Sequence, residues 1–171
     1  MPQPSPPAEN AATSPPDSAV ALALGKIPSG LFIITWRHEG GDRGMLASWV
    51  MQAAFTPPAV TVAVAASRDL LATIAAGTQF VVNILGESQR SLLARFGRPA
   101  GPGEDPFAGL ALARTASGAA ALTAATGWLE CRGVTQATAG DHVIVVAEVM
   151  HAGSGSGELP LVHTRRNGLR Y

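Results

Sequence analysis

Gly44-Met-Leu-Ala-Ser-Trp-Val-Met-Gln-Ala-Ala-Phe-Thr-Pro-Pro-Ala-Val-Thr-Val-Ala-Val-Ala-Ala-Ser67-Arg68 is the stretch that decides the fold. It reads as a strand, a Thr56-Pro57-Pro58 turn, a second strand and a short polar exit into a helix. Ser48, Trp49 and Gln52 interrupt the apolar run of the first strand, which a plain core strand would not tolerate. Val60 to Ala66 is small and apolar throughout, the pattern of a strand covered on both faces. The two strands form a scaffold, and Ser48, Trp49, Gln52, Ser67 and Arg68 are what it holds.

Upstream, Leu31-Phe-Ile-Ile-Thr-Trp36 is rich in β-branched and aromatic residues and reads as a strand. The loop Glu39-Gly-Gly-Asp42 joins it antiparallel to the strand that carries Ser48. A short helix over Ala19–Lys26, closed by Gly25, precedes it. Downstream of Ser67 the period changes: Leu70, Leu71 and Ile74 recur at helical spacing, with Ser67 or Asp69 as cap and Gly77 as stop. Phe80 to Leu85 is a buried strand, and Glu87 to Phe96 an amphipathic helix that ends at Gly97. Residues 97–109 form a Gly/Pro-rich loop, too long for a compact domain unless it serves a function. Short strands within Leu110–Leu122 lead to a long one over Trp128–Ala137, where Leu129 and Cys131 alternate with Glu130 and Arg132. A turn at Ala139-Gly140-Asp141 then enters His142–Met150, and Leu159–Tyr171 closes the chain with one or two short strands. Six to eight mostly antiparallel strands with two or three helical insertions predict a mainly β fold, a closed β-barrel with a ligand-bearing mouth.

The 171 residues carry 12 basic and 12 acidic side chains and are 47% hydrophobic but only 14% charged. Cancelling charge without a basic cluster leaves no electrostatic footprint for nucleic acid. The sparse charge favours a homo-oligomer with an apolar interface. One cysteine, Cys131, excludes an internal disulfide and a cysteine-based zinc site. No apolar run reaches the roughly 18 residues of a membrane helix. Residues 1–18 lack the pattern of a secretory signal and read as a disordered Pro/Ala/Ser-rich tail before a single domain over 19–171. A cytoplasmic location is expected.

Few groups offer chemistry. Gly153-Ser-Gly-Ser-Gly157 is followed by Glu158-Leu-Pro160, which blocks a helix start, so it reads as a flexible loop and not a dinucleotide fingerprint. Ser67-Arg68, where a strand gives way to a helix, reads either as an anion-binding corner or as an N-cap beside a solvated arginine. His38 falls in a loop and is expected to be exposed. His151 and His163 flank the Gly/Ser loop with no carboxylate pattern that suggests a metal. His142 follows Gly140-Asp141 at the start of a strong strand, which places an ionisable ring at the barrel rim. Cys131, Trp49 and Trp128 read as core residues.

Together, Gly44-Met-Leu-Ala-Ser-Trp49, Phe55-Thr-Pro-Pro58, Ser67-Arg68, Phe80–Leu85, Gly140-Asp-His142 and Pro160-Leu-Val-His163 with Tyr171 make residues 20–171 resemble the flavin reductase-like family of FMN-binding split barrels. Met45–Gln52, Pro102-Gly-Glu-Asp105 and Phe107-Ala-Gly109 are most similar to the C-terminal reductase domain of cyanobacterial diflavin flavoproteins. The resemblance implies an NAD(P)H-dependent flavin oxidoreductase, with NADH or NADPH as co-substrate and FMN, or else FAD, bound at a homodimer edge. It implies that Ala47, Ser48, Trp49 and Gln52 line the flavin ring and ribityl chain and that Ser67 and Arg68 take the phosphate. By the same match, His142 lies near the flavin or nicotinamide, and Phe96 with the 97–109 loop covers the ring. Reduced flavin or electrons would pass to a monooxygenase or to a diiron or flavodoxin-like acceptor. Leu46, Trp49 and Met51 depart from the Ser or Thr common in the family. The rival reading is a non-catalytic flavin- or haem-binding split barrel.

Overall fold

The computed structural model describes residues 18–101 and 103–169; the tail predicted for 1–18, apart from its last residue, and the closing Tyr171 lie outside them. The chain divides into two compact units, a small one built from the two ends and a large one over Ser29–His163. In the small unit α1 (Ser18–Gly25) is met by the C-terminal segment: Arg165 N–H donates to the Gly25 carbonyl at 3.0 Å, and Gly168 N–H to the Ala21 carbonyl at 2.8 Å.

The large unit begins with β1 (Ser29–Gly30), β2 (Phe32–His38), β3 (Gly41–Ala47), β4 (Val50–Phe55) and β5 (Pro58–Ala65). The expected single strand through Ser48 is thus two strands, broken at Ser48-Trp49. Helix α2 (Leu70–Ala75), β6 (Phe80–Ile84), a 3₁₀ turn over Glu87–Ser91 and α3 (Leu92–Phe96) follow. Then come β7 (Leu112–Arg114), β8 (Ala120–Leu122), β9 (Gly127–Ala139), β10 (His142–Ser154) and β11 (Val162–His163). Gly153 and Ser154 therefore end a strand and do not open a loop, and His38 closes β2 instead of sitting in a loop. Asp69 takes the N-cap position of α2 without a side-chain bond to it.

Seven strands form one sheet in the order β3-β2-β6-β9-β10-β5-β4, every pairing antiparallel. Its two edges, β3 and β4, are consecutive in the chain and joined only by Ser48 and Trp49. A two-residue link cannot span a flat seven-stranded sheet, because strands lie roughly 4.8 Å apart. The sheet must therefore curl until its edges approach, and since β3 and β4 do not pair with each other the barrel is split. β1–β11 and β7–β8 are separate two-stranded pairs.

The barrel interior holds Ile34, Trp36, Met45, Val60, Val62, Val64, Phe80, Val82, Cys131 and Val145. A second cluster places Ile33, Leu85, Phe96, Phe107, Ala120 and Leu122 together. Along β5 the valines are buried, whereas Thr61, Ala63 and Ala65 are only half-buried, so the coverage expected on both faces is complete on one.

In the alternation along β9 Glu130 shares a face with exposed Arg132, yet the two differ in burial. Glu130 is fully buried, accepting from Ser117 N–H at 2.9 Å and the Ser117 hydroxyl at 2.5 Å. Asn83 of β6 is also fully buried, donating to the Ile33 carbonyl at 2.9 Å and accepting from Leu122 N–H at 2.7 Å. Thr35 of β2 donates to the Ala120 carbonyl. These three polar side chains anchor the backbone of the β7–β8 segment, and for Asn83 and Thr35 those bonds offset burial.

Described residues of the 97–109 segment are held by arginine contacts. Arg98 forms a two-bond pair with Glu104 at 2.9 and 2.7 Å, and Arg95 donates to the Ala108 carbonyl at 2.6 Å.

Candidate functional site

The register of β4, β5 and β10 gathers most of the predicted polar residues, Gln52 excepted, at one end of the sheet. Ala65 stands opposite His142. Just beyond, Ala66 N–H donates to the Asp141 carbonyl at 3.0 Å, which ties the turn carrying Ser67 and Arg68 to the turn entering β10. Ala63 N–H donates to the Trp49 carbonyl at 2.9 Å and fixes the Ser48-Trp49 link on the other side. Gly140 makes the turn possible with φ +63°, a conformation that side-chain-bearing residues adopt rarely. Ser48-Trp49, Ser67-Arg68 and Asp141-His142, nearly one hundred residues apart at the extremes, thus form one corner.

His142 is buried there. Its Nδ1 lies 2.8 Å from Asp141 Oδ1, and the Trp49 indole packs tilted against its ring, with centroids 4.8 Å apart and planes at 54°. The hydrogen bond and charge of His142 hold the exposed Asp141 carboxyl below the usual carboxylate range. Ser48 is buried beside this pair, Ser67 is exposed and Arg68 half-buried. The Arg68 guanidinium has no ion-pair partner among the described residues. Trp49, read from sequence as core, is 38% exposed.

The remaining predicted residues fall elsewhere. Ala47 points into the barrel core. Gln52 stands opposite buried Val60 and lines an apolar cavity of about 360 Å³ with Phe32, Val50, Met51 and Leu129. Phe96 is not at the corner: it is buried edge-on to Phe107, with ring centroids 5.3 Å apart, behind Gly44. Cys131 is a buried hydrophobe whose thiol burial pushes up to about 12. His151 lies opposite Glu130. Asp141, read from sequence only as a turn residue, is the side chain that reasoning missed; its signal was the adjacent histidine.

The profile of the flavin reductase like domain matches residues 24–169. The chain belongs to that family. Flavin reductase-like relatives include diflavin flavoprotein A 1 of Synechocystis sp., 39% identical over 157 residues, which cover 91% of this chain and 27% of that protein. The chain thus spans about a quarter of the length of the curated relatives it matches. Among solved structures, the NADH:FAD oxidoreductase of Streptomyces globisporus superposes with a TM-score of 0.76 at 25% identity, covering 84% of this chain and 85% of that one. The styrene monooxygenase flavin reductase of Pseudomonas putida gives 0.73 at 26% identity, covering 84% and 90%. The fold is therefore the mainly β split barrel of flavin reductases. No helix of the described residues is long and apolar enough to cross a membrane.

The corner fits a phosphorylated flavin in its chemistry. A phosphate asks for a cation and for hydroxyl donors, which Arg68 and Ser67 provide. A flat ring system asks for an apolar wall with a few polar groups, which Trp49 and Ser48 provide.

Proposed function

We propose that this chain is an NAD(P)H:flavin oxidoreductase that takes FMN, or FAD, and receives hydride from a reduced nicotinamide nucleotide. The observation that carries the reading is the corner itself: an arginine with no ion-pair partner among the described residues and a serine share it with a buried histidine and a partly exposed indole. A bound flavin would supply the redox chemistry, hydride acceptance from the nicotinamide, and the protein would supply orientation and charge.

In this reading Arg68 and Ser67 bind the phosphate, Ser48 and Trp49 border the ring, and His142 orients the nicotinamide or holds a proton at the rim. Gln52 belongs to the cavity row of β4, so its contact with flavin and that of Ala47 rest on the family pattern alone. The burial of Phe96 argues that it shapes the strand behind the site and does not cover the ring.

The chain acts as a homodimer in a cytoplasmic setting. Supporting this, Thr61, Ala63, Ile144 and Val146 are half-buried on the alternate face of β5 and β10, and Met51 and Phe55 are exposed on the edge strand β4. The diflavin flavoprotein relatives and the monooxygenase reductase neighbours support an acceptor that is a diiron or flavodoxin-like protein, or a monooxygenase. The test is FMN titration of the purified chain, sedimentation with and without flavin, and oxidation of NADH or NADPH with FMN present. Flavin uptake by a dimer with flavin-dependent nucleotide oxidation is expected. Tight flavin binding without oxidation would favour a non-catalytic flavoprotein module.

A further inference from the structure

Glu130 is a fully buried carboxylate whose Oε2 has no hydrogen-bond partner. Its Oε1 is occupied by Ser117, in the turn between β7 and β8, through the N–H at 2.9 Å and the hydroxyl at 2.5 Å. Val81, opposite Glu130 on β6, belongs to an apolar cluster with Ala119, Ala121 and Trp128. A carboxylate oxygen left bare in such surroundings is costly, so Oε2 calls for a donor.

His151 of β10 is placed to supply it. The register of β9 and β10 shifts between Val149 and His151, so that Met150 is the extra residue and His151, not Met150, stands opposite Glu130. Side chains directly opposite on antiparallel strands leave on one face with Cβ atoms roughly 5 Å apart, within reach of an imidazole. The other charged neighbours on the surrounding elements are engaged elsewhere. Arg132 of β9 donates to Glu148 of β10 at 2.7 Å, and Arg114 of β7 donates to Asp42 at 2.6 and 2.8 Å. We infer that His151 and Glu130 form a pH-sensitive latch: protonated His151 closes on Glu130 Oε2 and fastens the β7–β8 hairpin to the sheet. The latch stands apart from the reductase reading.

His151 is exposed and exchanges protons with solvent, and histidine is the side chain that ordinarily changes charge between about pH 5 and 8. Burial pushes the Glu130 carboxyl up, but the bonds from Ser117 and Thr115 and the charge of His151 outweigh it and hold the group below its ordinary range. Glu130 is therefore an anion throughout that window. A histidine that gains a carboxylate partner only in the folded chain stabilises where it is protonated. The contribution is present at acid pH and lost as pH rises through the histidine range.

The experiment is denaturant unfolding of the full chain at about pH 5.5 and about pH 7.5, for wild type, His151→Gln, Glu130→Gln and the double variant. His38, His142 and His163 are common to all four and cancel. His151→Gln is expected to lower the folded-to-unfolded ratio by up to about fivefold at the acid pH, the range of a partly exposed ion pair, and to leave it unchanged at the higher pH. On the Glu130→Gln background the acid loss is expected to vanish. The Ser117 amide, whose bond Glu130 accepts, is expected to exchange faster in His151→Gln than in wild type at the acid pH alone. An effect of His151→Gln that is the same at both pH values, or that persists without the Glu130 carboxylate, would overturn the latch. If Glu130→Gln does not fold, Ser117 exchange decides: equal rates in wild type and His151→Gln at the acid pH would overturn it.

Discussion

Replacing Arg68 with alanine isolates the phosphate contact from the rest of the corner. The guanidinium is half-buried and has no ion pair to lose among the described residues, so truncation leaves no orphaned partner behind. Two unit charges about 4 Å apart attract by ~1 kcal/mol in water and ~4 kcal/mol at the effective dielectric of a protein surface. Hydrogen bonds to charged groups fall at ~1.5–3 kcal/mol, and partial exposure argues for the lower end. A loss of about 1.4 kcal/mol is a tenfold rise in Kd. Fluorescence titration with FMN checks this, and riboflavin, which lacks the phosphate, serves as the internal control. Arg68→Ala is expected to weaken FMN about tenfold, leave riboflavin unchanged and reduce the salt dependence of FMN binding. Equal losses for both ligands would mean that Arg68 shapes the site and does not bind phosphate, and an unchanged FMN affinity would refute the assignment outright.

Gly44→Ala should destabilise the fold by about 1–3 kcal/mol through overpacking: a Cβ there falls 2.8 Å from Phe96 and 2.9 Å from Phe107, and thermal unfolding will show a lower Tm. Arg114, donating at 2.6 and 2.8 Å, leads in holding the Asp42 carboxyl below its ordinary range; partial burial opposes it and Arg37 assists. A folded pKa below the unfolded one means a contribution that is full above the unfolded carboxylate range and lost as pH falls through the folded value. Asp42→Asn should therefore cost about 0.5–1 kcal/mol at neutral pH and flatten the acid limb of denaturant-melt stability against pH. With its thiol pushed up to about 12 by burial, Cys131 should not react with a disulfide reagent in native protein at pH 8 and should titrate as one thiol after unfolding; fast native labelling would contradict its place in the core.

The elements of this barrel were legible wherever one face of a strand reports its own burial. Leu31–Trp36, Val60–Ala66, Phe80–Leu85 and His142–Met150 are strands in both sequence and structure, and the corner at Ser67-Arg68 was visible as a change of period. What stayed hidden depends on segments far away in the chain. Alternation along β9 says nothing of how deeply Glu130 is buried, because it cannot register that Ser117 comes back to bond it. Asn83 and Thr35 are buried for the same reason. Ser48-Trp49 read as irregularities within a strand, yet they are the link between the two sheet edges, a fact of topology and not of local preference. Phe96 was assigned by family pattern to the ring, whereas Phe107, which packs on it, comes from eleven residues further along the chain. The pairing of His142 with Asp141 was written in adjacent letters, but that the ring would be buried beneath Trp49 was not.

The proposed hydride transfer from nicotinamide to flavin is the central claim about this corner, and anaerobic stopped-flow absorbance reads it without a partner protein. Protein loaded with FMN is mixed with NADH or NADPH, with a protein-free control alongside. The oxidised-flavin bands are expected to bleach far faster than in the control, with a primary isotope effect when the transferred C4 hydrogen is deuterium. Bound flavin that stays oxidised with both nucleotides would contradict hydride transfer at this corner.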